Sequence, residues 1–218
     1  MGSNLRSAAC WKKTTLPRLG SAALAAVVIA ALCLGGCAAV GSQPPYQDVL
    51  AQWTRSEKVF VGLDARIYLS ATYKDPSFIA SYVDRYAAAY KLDDAYKAAL
   101  LEREKEEAER YNEFFAAVYT PEDSWNDLQN KDSIWRLYLE DGTGARLAPI
   151  SITRVDKSDP LLREFFPYFD MWSSGYRVKF PKYSDAGAEP IPGPSTMYLR
   201  LTVTGIMGEG NLLWRFKE

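Results

Sequence analysis

Three groups of side chains in this chain have the types and spacing to do chemistry. The first is Phe165-Phe166-Pro167-Tyr168-Phe169-Asp170-Met171-Trp172, its densest aromatic stretch. Aromatic rings offer large rigid faces with polar tips. Phe166, Tyr168, Phe169 and Trp172 are therefore candidates for a surface that stacks a sugar or small ligand or grips a protein. The plainer reading, and the favoured one, is that half of these rings cap a core and the rest cover a helix. The second group is the loop Pro121–Ser133, with Glu122, Asp123, Asn126, Asp127, Asn130 and Asp132. These are calcium-ligand types, but the EF-hand spacing and its Gly are missing, and turn and cap chemistry explains them more simply. The third is the stripe Tyr82, Tyr86, Tyr90 at helical spacing, suited to a partner helix or a bilayer interface and more often the buried face of a helix. Carboxylates are frequent, but no spacing sets two of them opposite each other for acid–base work.

Composition excludes more than it assigns. The chain has no histidine, so imidazole-activated serine or cysteine nucleophiles and imidazole metal ligands are excluded. Its three cysteines, Cys10, Cys33 and Cys37, all lie near the N-terminus, which leaves few ligands for zinc, copper or haem. No cofactor and no metal are expected, and no catalytic residues are assigned.

The N-terminus has three parts. Arg6, Lys12, Lys13 and Arg18 supply positive charge, with no acidic residue before Cys37. An apolar stretch follows from Leu19 to Leu34, shorter than the ~20 residues a stable bilayer crossing needs. It closes on Leu34-Gly35-Gly36-Cys37. This motif resembles the lipobox of bacterial lipoproteins. The resemblance covers residues 1–40 and implies a signal peptide over 1–36 and a mature chain beginning at a Cys37 that carries N-acyl and S-diacylglyceryl groups, palmitate among them. Two or more acyl chains make desorption negligible at ~0.8 kcal/mol per buried methylene. The alternatives are an uncleaved membrane anchor and an ordinary secretory signal cut near Ala38 or Ala39. Losing the four signal cations moves the formal charge from −1 to −5, which argues against nucleic acid and against electrostatic docking on anionic lipid. The bilayer contact is then the acylated Cys37 alone. Residues 37–45 form a short tether of at most ~30 Å, so the domain sits close to the lipid.

The elements that must position these groups follow from hydrophobic period. Residues 46–218 are expected to form one globular domain. Tyr46–Trp53 reads as a short helix or turn. Val59 to Tyr73 alternates with period two and predicts one long strand (about 58–73), bent at Gly62. Asp75-Pro76 opens a helical segment over about 76–119, with Asp93 capping a second helix that continues through Tyr111, Phe115 and Val118 to Thr120-Pro121. The run Glu102–Glu107 has no apolar side chain and is read as a solvated helix surface. Short alternating strands then fill about 134–217: Trp135, Leu137 and Leu139; Ile150 and Ile152; Tyr176, Val178 and Phe180; and a hairpin of Leu199, Leu201 and Val203 with Leu212, Trp214 and Phe216. The fold class expected is α+β, mainly β: an antiparallel β-sandwich, with an immunoglobulin-like one among the arrangements it fits, carrying a helical hairpin after the first long strand.

The leading functional expectation is a non-enzymatic, lipid-anchored envelope module, structural or adaptor in role, that binds another envelope component. The outer membrane's periplasmic face is favoured if the host has one, because Ala38 stands where an inner-membrane retention aspartate would. The second expectation is a small-ligand or glycan-binding lipoprotein using Phe165–Trp172. A carboxylate-based hydrolase is the remote third.

Overall fold

The computed structural model describes residues 44–144, 146–184, 187 and 189–216. The expectations for residues 1–43, Cys37 among them, lie outside the described residues. Residues 44–218 form one compact unit of the α+β, mainly β class, with nine strands in two antiparallel sheets and four α-helices among the described residues.

The chain opens with α1 (Tyr46–Trp53), whose Tyr46, Val49 and Leu50 share one buried face. It passes into β1 (Thr54–Val61) and β2 (Asp64–Tyr73). The sequence predicts a single strand here, and the structure corrects it to a hairpin. Gly62 takes a φ of 64°, a left-handed conformation that costs glycine nothing, and the chain reverses there. Alternation persists on both sides of the turn, so the period alone could not reveal it. Ile67, Leu69, Ala71 and Tyr73 of β2 do face the core as expected.

Two helices follow, α2 (Pro76–Tyr90) and α3 (Asp94–Arg110). Their caps are those the sequence predicts: Asp75 accepts from the Ser77 amide at 2.8 Å and Asp93 from the Tyr96 amide at 2.7 Å. The helical segment stops at Arg110, not Tyr119. Tyr111–Tyr119 is β3, the middle strand of its sheet, paired with β2 on one side and β7 on the other. Asn112, Phe114, Ala116 and Val118 face one layer while Phe115 and Ala117 face another, and all six are buried. A strand buried on both faces reads as a continuous apolar run, and such a run is not separable from a buried helix by periodicity.

The remaining elements are β4 (Trp135–Asp141), β5 (Arg146–Leu147), β6 (Ser151–Arg154), α4 (Pro160–Phe165), β7 (Ser174–Pro181), β8 (Tyr198–Gly205) and β9 (Gly208–Arg215). The inward residues predicted for β4, β7, β8 and β9 are buried except Phe216, which lies beyond β9 and is half-buried, whereas Ile150 lies outside β6 and is exposed. One sheet has the order β1-β2-β3-β7-β6 and the other β5-β4-β8-β9. An immunoglobulin sandwich interleaves its strands as ABED and CFG. Here β1, β2 and β3 are consecutive neighbours, with the helices between the second and third strands rather than after the first.

The inner faces of the two sheets enclose the main core, centred on Trp135, Trp214, Tyr176, Phe114 and Phe180. A second apolar cluster on the outer face of the five-stranded sheet joins Phe115 and Ala117 to α1, α2 and α4 through Tyr46, Leu50, Phe78, Leu162, Phe165, Phe166 and Phe169. The helices thus make a third layer on that sheet alone. No helix of the described residues is long and apolar enough to cross a membrane.

Candidate ligand-binding cleft

The outer face of the five-stranded sheet changes character along β3 and β7. Pairing sets Phe115 beside Arg177 and Glu113 beside Lys179, while the Lys74 amide donates to the Glu113 carbonyl at 3.0 Å. Apolar rings therefore give way, within one strand step, to a row of charges.

Helix α3 lies across that row. Leu100 is its single buried residue, so apolar burial holds it weakly, and charge does the rest. Glu104 and Glu107 stand one turn apart on one face. Glu104 accepts from Lys74 Nζ at 2.7 Å and Glu107 from Lys179 Nζ at 2.7 Å. Glu113, beneath them on β3, lies 3.3 Å from Lys74 Nζ and 3.7 Å from Lys179 Nζ. The result is an alternating chain, Glu104–Lys74–Glu113–Lys179–Glu107. Lys74, Glu104 and Glu113 side chains are 15–17% exposed, enough burial to raise these pairs above an ordinary surface ion pair. The hydrogen bond from Lys179 holds the Glu107 carboxyl below its usual range, and its acceptance by Glu107 holds the Lys179 ammonium above its own. The run Glu102–Glu107 is thus not wholly a solvated surface. Two of its six residues, Glu104 and Glu107, fasten α3.

Between this fastened helix and the sheet lies a cleft of about 500 Å³, within the size range of small-molecule sites. Phe78, Phe115, Leu162 and Phe166 give it an apolar floor, Tyr82, Tyr86, Tyr96, Leu100 and Leu161 its walls, and the charge chain with Arg103 and Arg177 its polar side. Phe115 and Phe166 are stacked with centroids 4.1 Å apart, and Tyr82 packs on Phe165 at 4.7 Å. Burial, with Glu104 nearby, pushes the Tyr82 phenol up to about 12 against the opposing pull of Arg177. Tyr82 is therefore a hydrogen-bond donor at every physiological pH.

The sequence candidates fall differently from the expected surface. Phe166 and Phe169 are buried in the second cluster. Tyr168 is half-buried, with its hydroxyl 2.6 Å from Thr72 Oγ1 and donating to the Phe115 carbonyl at 3.2 Å. Of the four, Trp172 alone is exposed, at 70%, next to exposed Met171. The segment is therefore no continuous platform, because its rings point into a layer that must cover the sheet. Only Phe166 reaches the cleft. In the stripe Tyr82, Tyr86, Tyr90, the first two line the cleft and Tyr90 is exposed. In the Pro121–Ser133 loop, Asn126 is buried and used internally, donating to the Val118 carbonyl and accepting from Tyr176, each at 2.8 Å, while Glu122, Asp123, Asn130 and Asp132 are exposed. Among the described residues no cluster of three or more Asp, Glu or Cys could hold a metal ion.

Sequence reasoning missed Lys74, Glu104, Glu107, Glu113, Arg177 and Lys179. The available signal was the pair Arg177 and Lys179, alternating with Tyr176, Val178 and Phe180: cations on the outward face of a strand, with carboxylates at i and i+3 on a nearby helix. A second missed feature is at one end of the sandwich. Phe60 and Val61 are half-exposed and Leu63 wholly exposed at the β1–β2 turn, and Ile206 is 88% exposed at the β8–β9 turn. The two turns adjoin, since β1 runs beside β9, where Arg55 Nε donates to the Leu213 carbonyl at 2.9 Å and Val59 packs against Gly208 and Gly210.

No protein-family model and no curated protein matches this chain. It is similar to a solved structure described as a novel protein of unknown function from Burkholderia pseudomallei, with 12% identity over 92% of this chain and 93% of that one and a TM-score of 0.37. That description names no ligand or activity.

Proposed function

We propose that this chain is a lipid-anchored, non-catalytic binding module of the cell envelope, and that its cleft beneath α3 takes a small ligand. The anchor rests on Leu34-Gly35-Gly36-Cys37 at the close of the apolar run, which makes Cys37 the acylated residue. The location that follows is the envelope, on the periplasmic face of the outer membrane where the host has one. The non-catalytic role is supported by the lack of histidine and by the state of the cleft carboxylates. Glu104, Glu107 and Glu113 are each bound to a lysine, so none is free to move a proton to or from a substrate. The observation that carries ligand binding is the cleft itself, with an aromatic floor on one side and polar groups on the other. It replaces the Phe166–Trp172 segment as the ligand surface.

The test has two parts. Intact mass of the chain isolated from cells should show diacylglyceryl on an N-terminal Cys37; a chain starting at Ala38 refutes the anchor. In a thermal-shift screen with small soluble amphiphiles, at least one should raise the melting midpoint saturably. Leu161→Trp, which thrusts a ring into the cleft, should abolish that rise. A rise that survives the substitution refutes the site.

A second reading is an adaptor that docks on another envelope protein. It is favoured by the adjoining exposed side chains Phe60, Val61, Leu63 and Ile206, since such apolar groups mark association surfaces. A photo-crosslinking residue at Leu63 or Ile206 should then capture one stoichiometric protein in cells, and one at Asn211 on the outer sheet face should not.

A further inference from the structure

We infer that the cleft's ligand is an amphipathic organic anion, its apolar body on the half-buried Tyr82, Tyr86 and Leu161 and its anionic head on the Arg177 guanidinium. The inference rests on the cleft reading above and goes beyond it by naming the ligand class.

Charge accounting carries it. Four cations line the cleft, Lys74, Arg103, Arg177 and Lys179, against three carboxylates, Glu104, Glu107 and Glu113. Lys74 and Lys179 are committed to those carboxylates at 2.7 Å, and Arg103 leans on Glu104 at 3.7 Å. The Arg177 side chain is exposed and makes no ion pair and no side-chain hydrogen bond among the described residues, so its planar fork of donors is open to an external acceptor. Its position is equally specific. It stands next to Phe115 in the pairing of β3 with β7, where the apolar floor ends. An anion on Arg177 thus has the half-buried Tyr82, Tyr86 and Leu161 of the same cleft available to its attached carbon chain. Tyr82 lines the same cleft and stays protonated, which supplies a second donor. A guanidinium with a phenol recognises oxyanions, carboxylate or phosphate alike, by charge-assisted hydrogen bonds. A neutral sugar offers Arg177 no charge-assisted hydrogen bond.

The experiment uses the full chain in lipid nanodiscs, with empty nanodiscs as the blank. Calorimetric titrations use phenylbutanoate, phenylbutyl phosphate and the neutral phenylbutanamide. The expected result is saturable binding of at least one anion, with the amide weaker by about tenfold or more. Arg177→Gln should remove that preference, and Arg177→Lys should restore part of it, keeping the charge without the fork. The two anions distinguish a carboxylate from a phosphate head. Equal binding of amide and anions, or an unchanged preference in Arg177→Gln, overturns the inference. If the amide binds equally and Leu161→Trp abolishes all binding, the cleft reading stands and the anion assignment falls. If no probe binds, both fall.

Discussion

Glu107 on α3 accepts a hydrogen bond from Lys179 on β7 at 2.7 Å, so a helix with one buried residue is fastened to the sheet by charge. This pair and its neighbour Glu104–Lys74 form one wall of the cleft, and the stability of that wall is local. Lys74→Met should cost about 2 kcal/mol, because Glu104 loses its 2.7 Å partner and keeps only Arg103 at 3.7 Å, and Glu113 loses one of two. Glu107→Gln should cost about 0.5–1 kcal/mol at its more exposed site. In both variants, hydrogen exchange should rise over residues 94–110 while β3 stays protected. Uniform loss of protection across β3 and β7 would show that α3 is not a separate unit.

The same pair sets a pH dependence. The folded Glu107 carboxyl lies below its unfolded value because of the Lys179 hydrogen bond. Its stabilisation is therefore complete above the ordinary carboxylate range of ~4.3 and lost as pH falls through the folded value. The folded Lys179 ammonium lies above its ordinary value, so its share is complete below ~10.4 and lost as pH rises through the folded value. The melting-midpoint difference between wild type and Glu107→Gln should be flat between about pH 6 and 9 and shrink as pH falls below ~4.3. A difference that persists undiminished in acid contradicts the assignment.

Away from the cleft, Asn112 joins β3 to the loop after β7. It accepts from the Tyr73 hydroxyl at 3.0 Å and donates to the Ile191 carbonyl at 2.6 Å and the Pro181 carbonyl at 3.2 Å, at a site 1% exposed. Lys182 Nζ also donates to it at 3.3 Å. Asn112→Ala removes all four contacts and orphans buried partners, so denaturant unfolding should show a loss of about 2–4 kcal/mol. Ligand binding by the remaining folded protein should be unchanged. A loss under about 0.5 kcal/mol would mean that water satisfies these groups.

The fold was legible where one face of a strand meets solvent. Trp135-x-Leu137-x-Leu139 and Leu199-x-Leu201-x-Val203 alternate cleanly, and Asp75 and Asp93 announce their helices. It was illegible at Tyr111–Tyr119, where both faces are buried and the sequence is apolar throughout. It was also illegible at Gly62, where a turn keeps the period on both sides. The cleft was illegible for a different reason. Its charges come from Lys74 just after β2 and from α3, β3 and β7, and pairing between Glu104 and Lys74 or Glu107 and Lys179 has no local signature. A charged helix over a charged strand face looks, residue by residue, like two solvated surfaces. The aromatic segment had the opposite fault: dense in sequence, its rings separate into buried Phe166 and Phe169 and exposed Trp172 once α4 closes on the sheet.

The central claim is that the cleft between α3 and the five-stranded sheet holds a ligand, and one calorimetric comparison tests it most directly. Phenylbutanoate is titrated into the full chain in nanodiscs and into its Leu161→Trp variant, with both melting midpoints measured beforehand. The predicted result is saturable one-site binding to the wild type and none to a Leu161→Trp variant of unchanged midpoint. Equal binding to the two proteins, or none to the wild type, contradicts it.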